Sequence, residues 1–138
     1  MAEKIAEHLN AELSEVIDKK NREGKLNFLT SGYESIREKV TEIEVKKKVD
    51  DYDFVIVGSP VLAGKIAPAI RTFLRNNDFS SKKVAFFVTV EGDKPNKALN
   101  AMKEIISPQT PVEELGITNA LKNLEEINNQ IADWCKKL

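Results

Sequence analysis

Few side chains in this sequence are equipped for covalent or acid–base chemistry. There is one cysteine, Cys135, and one histidine, His8. A thiol nucleophile needs a base beside it. Cys135 has no histidine near it and lies in an apolar-periodic stretch, so it is expected to pack. His8 follows Glu7 in a helical pattern and reads as a surface imidazole. With one imidazole, a multi-histidine metal site is excluded, and no metal ligand set is assigned. Asp50, Asp51 and Asp53 precede an apolar strand, at the end away from where parallel sheets bind ligands. The lysines 46–48 are followed by Val49 and two of these aspartates, and read as a solvated linker. What remains is backbone chemistry in two glycine-containing loops, 58–65 and 91–95.

The elements that must position those loops are legible from apolar spacing. Ala2, Ile5, Ala6 and Leu9 mark a helix over 2–10. Residues 12–18 read as a short strand, 19–25 as a loop with Gly24, and 26–39 as a helix carrying Phe28, Leu29, Ile36 and Val40 in its apolar set. Gly32 weakens that helix by about 1 kcal/mol relative to alanine. Phe54-Val55-Ile56-Val57 is continuously apolar and closed by Gly58, the pattern of a strand buried on both faces. The loop S-P-V-L-A-G-K comes next, then a helix over 67–76 with Pro68 in its first turn and Ile70, Phe73 and Leu74 apolar. K-V-A-F-F-V-T-V at 83–90 is a second buried strand. E-G-D-K-P leads to a helix over 96–106 with Leu99, Met102, Ile105 and Ile106. A short, weak strand is expected at 112–116. A last helix from about 119 to 137 carries Leu121, Leu124, Ile127, Ile131, Trp134 and Leu138 as a core-facing stripe.

Strands alternating with helices give an α/β fold with a doubly wound, three-layer α/β/α sheet. Parallel strands are expected near 13–17, 54–58, 84–90 and 112–116. Ligands in such sheets sit outside the carboxyl ends of the strands, which selects the loops 58–65 and 91–95.

The 138 residues are read as one domain, 1–138. The 21 basic and 22 acidic side chains nearly cancel, so no field steers the chain to nucleic acid. No apolar run approaches the length of a membrane span, and the start has no apolar signal core. One cysteine forms no internal disulfide. The expected location is cytoplasmic.

The segment D-Y-D-F-V-I-V-G-S-P-V-L-A-G-K-I-A-P-A-I-R-T-F-L resembles the flavodoxin family, where the matching stretch reads Y-D-x-(I/V)-(I/V)-(I/V)-G-(T/S)-P-(V/I)-W-A-G. I-D-K-K-N-R-E-G, G-Y-E-S-I-R-E-K-V-T-E-I-E and K-K-V-A-F-F-V-T are similar to it as well, so the resemblance runs from residue 2 onward. It implies a flavin mononucleotide (FMN) electron carrier with redox partner proteins and no catalytic side chain. Ser59, Pro60, Val61, Leu62, Ala63 and Gly64 would border one side of the isoalloxazine, and Thr89, Val90, Glu91 and Gly92 the other. Glu91 and Asp93 would lower the flavin potential.

Two departures stand beside the match. The family opens with an apolar strand and a Ser/Thr/Gly loop that cradles the FMN phosphate, whereas M-A-E-K-I-A-E-H-L is similar to its first helix already under way. The family's tryptophan position is Leu62 here, which offers no aromatic face. FMN binding that is weak or absent is therefore expected. A flavin-free interaction module and a fragment of a longer flavodoxin are the alternatives. The family's strand order, 2-1-3-4-5, puts its first strand beside 54–58, so either a rearranged sheet or an edge completed by another chain, and hence self-association, is expected.

Overall fold

The structure, a computed structural model, describes residues 1–19, 41–92, 94–106, 112–120 and 122–138. The helix expected over 26–39, the loop beyond Lys19, Asp93 and Leu121 lie outside the described residues. In chain order the described elements are α1 (Ala2–Leu9), β1 (Val16–Asp18), β2 (Ile43–Val45), a 3-10 turn (Val49–Asp51), β3 (Phe54–Leu62), β4 (Lys65–Ile66), α2 (Pro68–Asn76), β5 (Lys83–Val90), α3 (Asn96–Ile106), β6 (Val112–Thr118) and α4 (Leu124–Cys135).

β3, β5 and β6 are parallel neighbours. Phe54 to Pro60 match Lys83 to Thr89, and Val84 to Val90 match Val112 to Thr118. Their apolar continuity has the expected cause, since helices cover both faces. Along β5, Val84, Phe86 and Val88 join the core under α2 and α3, while Ala85 and Phe87 join the core under α1 and α4. Each fully buried side chain of the size of Phe86 contributes about 1.5–3 kcal/mol. Glycine at 116 is required by a close approach, because a β-carbon there would come within 2.5 Å of the Pro95 ring.

Several expectations need correction. The strand near 13–17 is not part of the parallel sheet. β1 pairs antiparallel with β2 in a separate two-stranded ribbon. The ribbon is pinned to α2 by buried polar groups: Thr41 Oγ1 donates to Asp18 Oδ1 at 2.9 Å, and Thr41 N–H donates to Thr72 Oγ1 at 2.9 Å. The four-stranded sheet is mixed, in the order β4-β3-β5-β6, with β4 antiparallel to β3. Gly58 does not end its strand, and β3 runs on to Leu62. The strand at 112 continues to Thr118, paired throughout with β5. The last helix starts at Leu124, because Asn119 adopts a φ of 48° and Asn123 caps the helix by accepting from the Glu126 N–H. Leu124 is consequently 57% exposed and outside the stripe, whereas Ile127, Ile131 and Trp134 are buried.

The register of β3 against β5 sets which backbone groups face the outer edge of β3. Lys83 N–H donates to the Asp53 carbonyl at 2.9 Å. In a parallel ladder this turns the polar groups of the odd-numbered β3 residues toward β5 and those of Phe54, Ile56 and Gly58 the other way. Among the described residues, β3 is paired on that outer edge only by β4, at Val61 and Leu62.

Candidate functional site

The carboxyl ends of β3 and β5 bring the two sequence-selected segments to one end of the sheet. Pairing between β3 and β5 ends at Pro60 beside Thr89. From Val61 onward β3 pairs instead with β4, Val61 with Ile66 and Leu62 with Lys65. Residues 59–64 are thus strand and hairpin, not the loop expected. Ala63 and Gly64 close the hairpin with φ values of 49° and 75°, the pattern of a type I′ turn, whose twist matches that of the strands it joins. The cue was present in Val61-Leu62-Ala63-Gly64-Lys65-Ile66: Val61 and Leu62 on one side and Lys65 and Ile66 on the other flank a two-residue turn ending in glycine.

The candidate residues differ in what they offer. Val61, Leu62, Thr89 and Val90 are half-buried, and Pro60, Ala63, Gly64, Glu91 and Gly92 are exposed. Gly64 and Gly92, at φ of 75° and 120°, have open space where a side chain would project, with no atom within 4 Å. The Val90 carbonyl accepts from Asn119 N–H at 2.9 Å. Ser59 is 2% exposed, and its hydroxyl faces inward: it donates to the Pro60 carbonyl at 2.9 Å and accepts from Ala67 N–H at 3.0 Å. That Ala67 is the partner of Ser59 is a part of this arrangement that apolar spacing and loop position do not pick out.

The other polar cluster lies beside the β1–β2 ribbon. Leu13, Ser14, Glu15, Ile17, Lys46 and Lys47 line a depression of about 210 Å³. Next to it, Glu12 accepts hydrogen bonds from Lys47 Nζ, at 2.7 Å, and from the Tyr52 hydroxyl. The Lys47 ammonium, and after it the Tyr52 hydroxyl, hold the Glu12 carboxyl below its ordinary value. Glu12 in turn raises the Tyr52 phenol. Burial pushes the Cys135 thiol up, in keeping with its place in the core under α1 and α4. Among the described residues, no three His, Cys, Asp or Glu side chains gather as a metal site, and no helix is long and apolar enough to cross a membrane.

A family profile described as the flavodoxin domain matches residues 33–119, more than half of the chain. The chain belongs to the flavodoxin-domain family. Solved structures with this flavodoxin-type fold agree. A proposed flavoprotein from Bacteroides eggerthii DSM 20697 matches with a TM-score of 0.73 at 19% identity, over 98% of this chain and 86% of that one. One from Bacteroides uniformis ATCC 8492 matches with a TM-score of 0.73 at 19% identity, over 97% and 86%. These two similarities establish the fold alone. A flavoprotein from Lactobacillus acidophilus NCFM, solved in complex with FMN, matches with a TM-score of 0.60 at 25% identity, over 85% and 83%. No curated protein matches the flavodoxin-domain chain described here.

Proposed function

We propose that this flavodoxin-domain chain is an electron carrier that holds a flavin by its ring and only weakly by its phosphate. The observation that carries the reading is the register of Pro60 with Thr89. It sets the Ala63–Gly64 and Glu91–Gly92 turns beyond the same end of the sheet, the ligand end of an open α/β fold. Both glycines open onto free space, which lets backbone groups approach a flat ligand. The FMN held by the Lactobacillus acidophilus relative supports the same ligand here.

The ring end of FMN fits these residues. Leu62, Thr89 and Val90 supply half-buried surface, and Glu91 an exposed carboxylate. Backbone groups of 61–64 and 89–92 would border the ring and its pyrimidine edge. The phosphate end finds no such fit among the described residues. Anion cradles form where a Ser/Thr/Gly-rich loop enters a helix. The residues before α2, α3 and α4 are Ala67, Lys94-Pro95 and Lys122-Asn123, and no such loop is among them. When bound, the flavin supplies the electron transfer. The protein's residues orient the ring and exclude water from its faces.

The test compares FMN with riboflavin, which has the same ring and no phosphate, by quenching of flavin fluorescence. The expected result is weak binding of both by the 138-residue chain, with affinities within about tenfold of each other. A nanomolar FMN dissociation constant would overturn it, as would a preference for FMN of several orders of magnitude. Leu62, in place of an aromatic ring face, favours a second reading, a flavin-free interaction module. Absence of riboflavin binding at the limit of its solubility would establish that reading instead.

A further inference from the structure

We infer that Ser59 is a positioning residue, which fixes the Val61–Ile66 hairpin against the start of α2 and does not itself touch the flavin. The inference rests on the ring-binding reading above and assigns the buried hydroxyl a part in it. Antiparallel ladders alternate hydrogen-bonded and non-hydrogen-bonded pairs. Lys65 and Leu62 flank the two-residue turn, so they form a hydrogen-bonded pair, and Val61 with Ile66 is the next, non-bonded one. The pair after that is Pro60 with Ala67.

That pair does not form a ladder rung in the ordinary way. Pro60 has no N–H to give. The Ala67 N–H is not bonded to the Pro60 carbonyl either. The Ser59 hydroxyl stands between them, accepting from Ala67 at 3.0 Å and donating to Pro60 at 2.9 Å. One side chain therefore replaces the rung that the proline interrupts. Ala67 is also the residue preceding the first turn of α2, and its own side chain offers no cap. The same hydroxyl thus ties β3, the end of β4 and the start of α2 into one unit. With Ser59 2% exposed and its hydroxyl engaged on both sides, a ligand at the carboxyl end of the sheet is reached by the hairpin that Ser59 holds.

The experiment measures amide exchange by NMR in the flavin-free protein and riboflavin affinity by fluorescence, for the wild type, Ser59→Ala and Ser59→Thr. In the wild type, the Ala67 amide is expected to be as protected as the Lys65 amide. Ser59→Ala should speed exchange at Leu62, Lys65 and Ala67 by about five- to tenfold, the loss expected for one hydrogen bond, and leave Val84–Val88 unchanged. It should weaken riboflavin by a similar factor. Ser59→Thr, which keeps the hydroxyl, should restore both. An unprotected Ala67 amide in the wild type overturns the bridge, and needs no variant to fold. Faster exchange in Ser59→Ala with unchanged riboflavin affinity overturns the positioning role but leaves the ring site standing. A wild type that binds no riboflavin overturns the ring site and the positioning role together.

Discussion

The ring of Phe87 lies across Gly58, its register partner in the neighbouring strand. A β-carbon built on the glycine would stand within 2.7 Å of three ring carbons. Phe87 belongs to the core under α1 and α4 and is 8% exposed. Glycine at 58 is therefore a matter of space and not of turn formation, since β3 runs straight through it. Gly58→Ala is expected to destabilise the protein by about 1–3 kcal/mol, the usual cost of overfilling a packed core. Combined with Phe87→Leu, the alanine substitution should cost less than it does alone, because the two positions share one space. Urea unfolding of the two single variants and the double variant measures this. Strict additivity would contradict the packing described.

The outer edge of β3 leads to a prediction about association. The polar groups of Phe54, Ile56 and Gly58 point away from β5, and no described strand pairs with them. Each unpaired backbone group in such a setting costs about 1–3 kcal/mol when buried, and exposed edges recruit further strands. The expected outcome is self-association through this edge, seen as concentration-dependent sedimentation. Amide exchange gives a second reading. Val55 and Val57 should be protected at any concentration, and Ile56 only in the associated form. A monomer at all concentrations with Ile56 unprotected would defeat the association.

Ala63 adopts a φ of 49°, a conformation that costs a residue with a β-carbon about 1–2 kcal/mol. Asparagine tolerates it, and Asn-Gly is the preferred pair for a type I′ turn. Ala63→Asn should raise the melting temperature, by an amount corresponding to about 1 kcal/mol. A melting temperature that falls would show that the turn is not of this type.

Glu12, Lys47 and Tyr52 titrate as a group. The Glu12 carboxyl lies below its ordinary value of 4.5, first because of Lys47 and then of Tyr52. Its contribution to stability is thus present above its unfolded value and lost as pH falls through the folded one. The Tyr52 phenol lies above its ordinary value of 10.0 because it donates to Glu12. That contribution is present below the unfolded value and lost as pH rises through the folded one. Glu12→Gln should bring the Tyr52 titration back toward 10.0, followed by phenolate absorbance with Tyr33→Phe as background. No change would show that Tyr52 is not bonded to Glu12.

The sequence by itself determined the parallel centre of the sheet. Phe54–Val57 and Val84–Val88 are apolar without alternation, which only a strand covered on both faces tolerates. Ile70, Phe73, Leu99 and Met102 recur at helical spacing, and each is buried where that spacing put it. The composition left backbone turns as the chemistry to look for, and the register of Pro60 with Thr89 brings those two segments to one end of the sheet. Tertiary structure decided which partners several of these residues meet, because no local pattern pairs them. Val16–Asp18 and Ile43–Val45 are too short for their periodicity to choose a partner, and the antiparallel ribbon they form is held by Thr41 reaching Asp18 and Thr72. Gly58 reads as a strand end until the Phe87 ring is seen to occupy the space beside it. Ser59 reads as one residue of a loop, and only the fold shows its hydroxyl accepting from the Ala67 N–H. A side chain's type fixes what it can bond. Which partner it meets depends on where the folded chain brings the other groups.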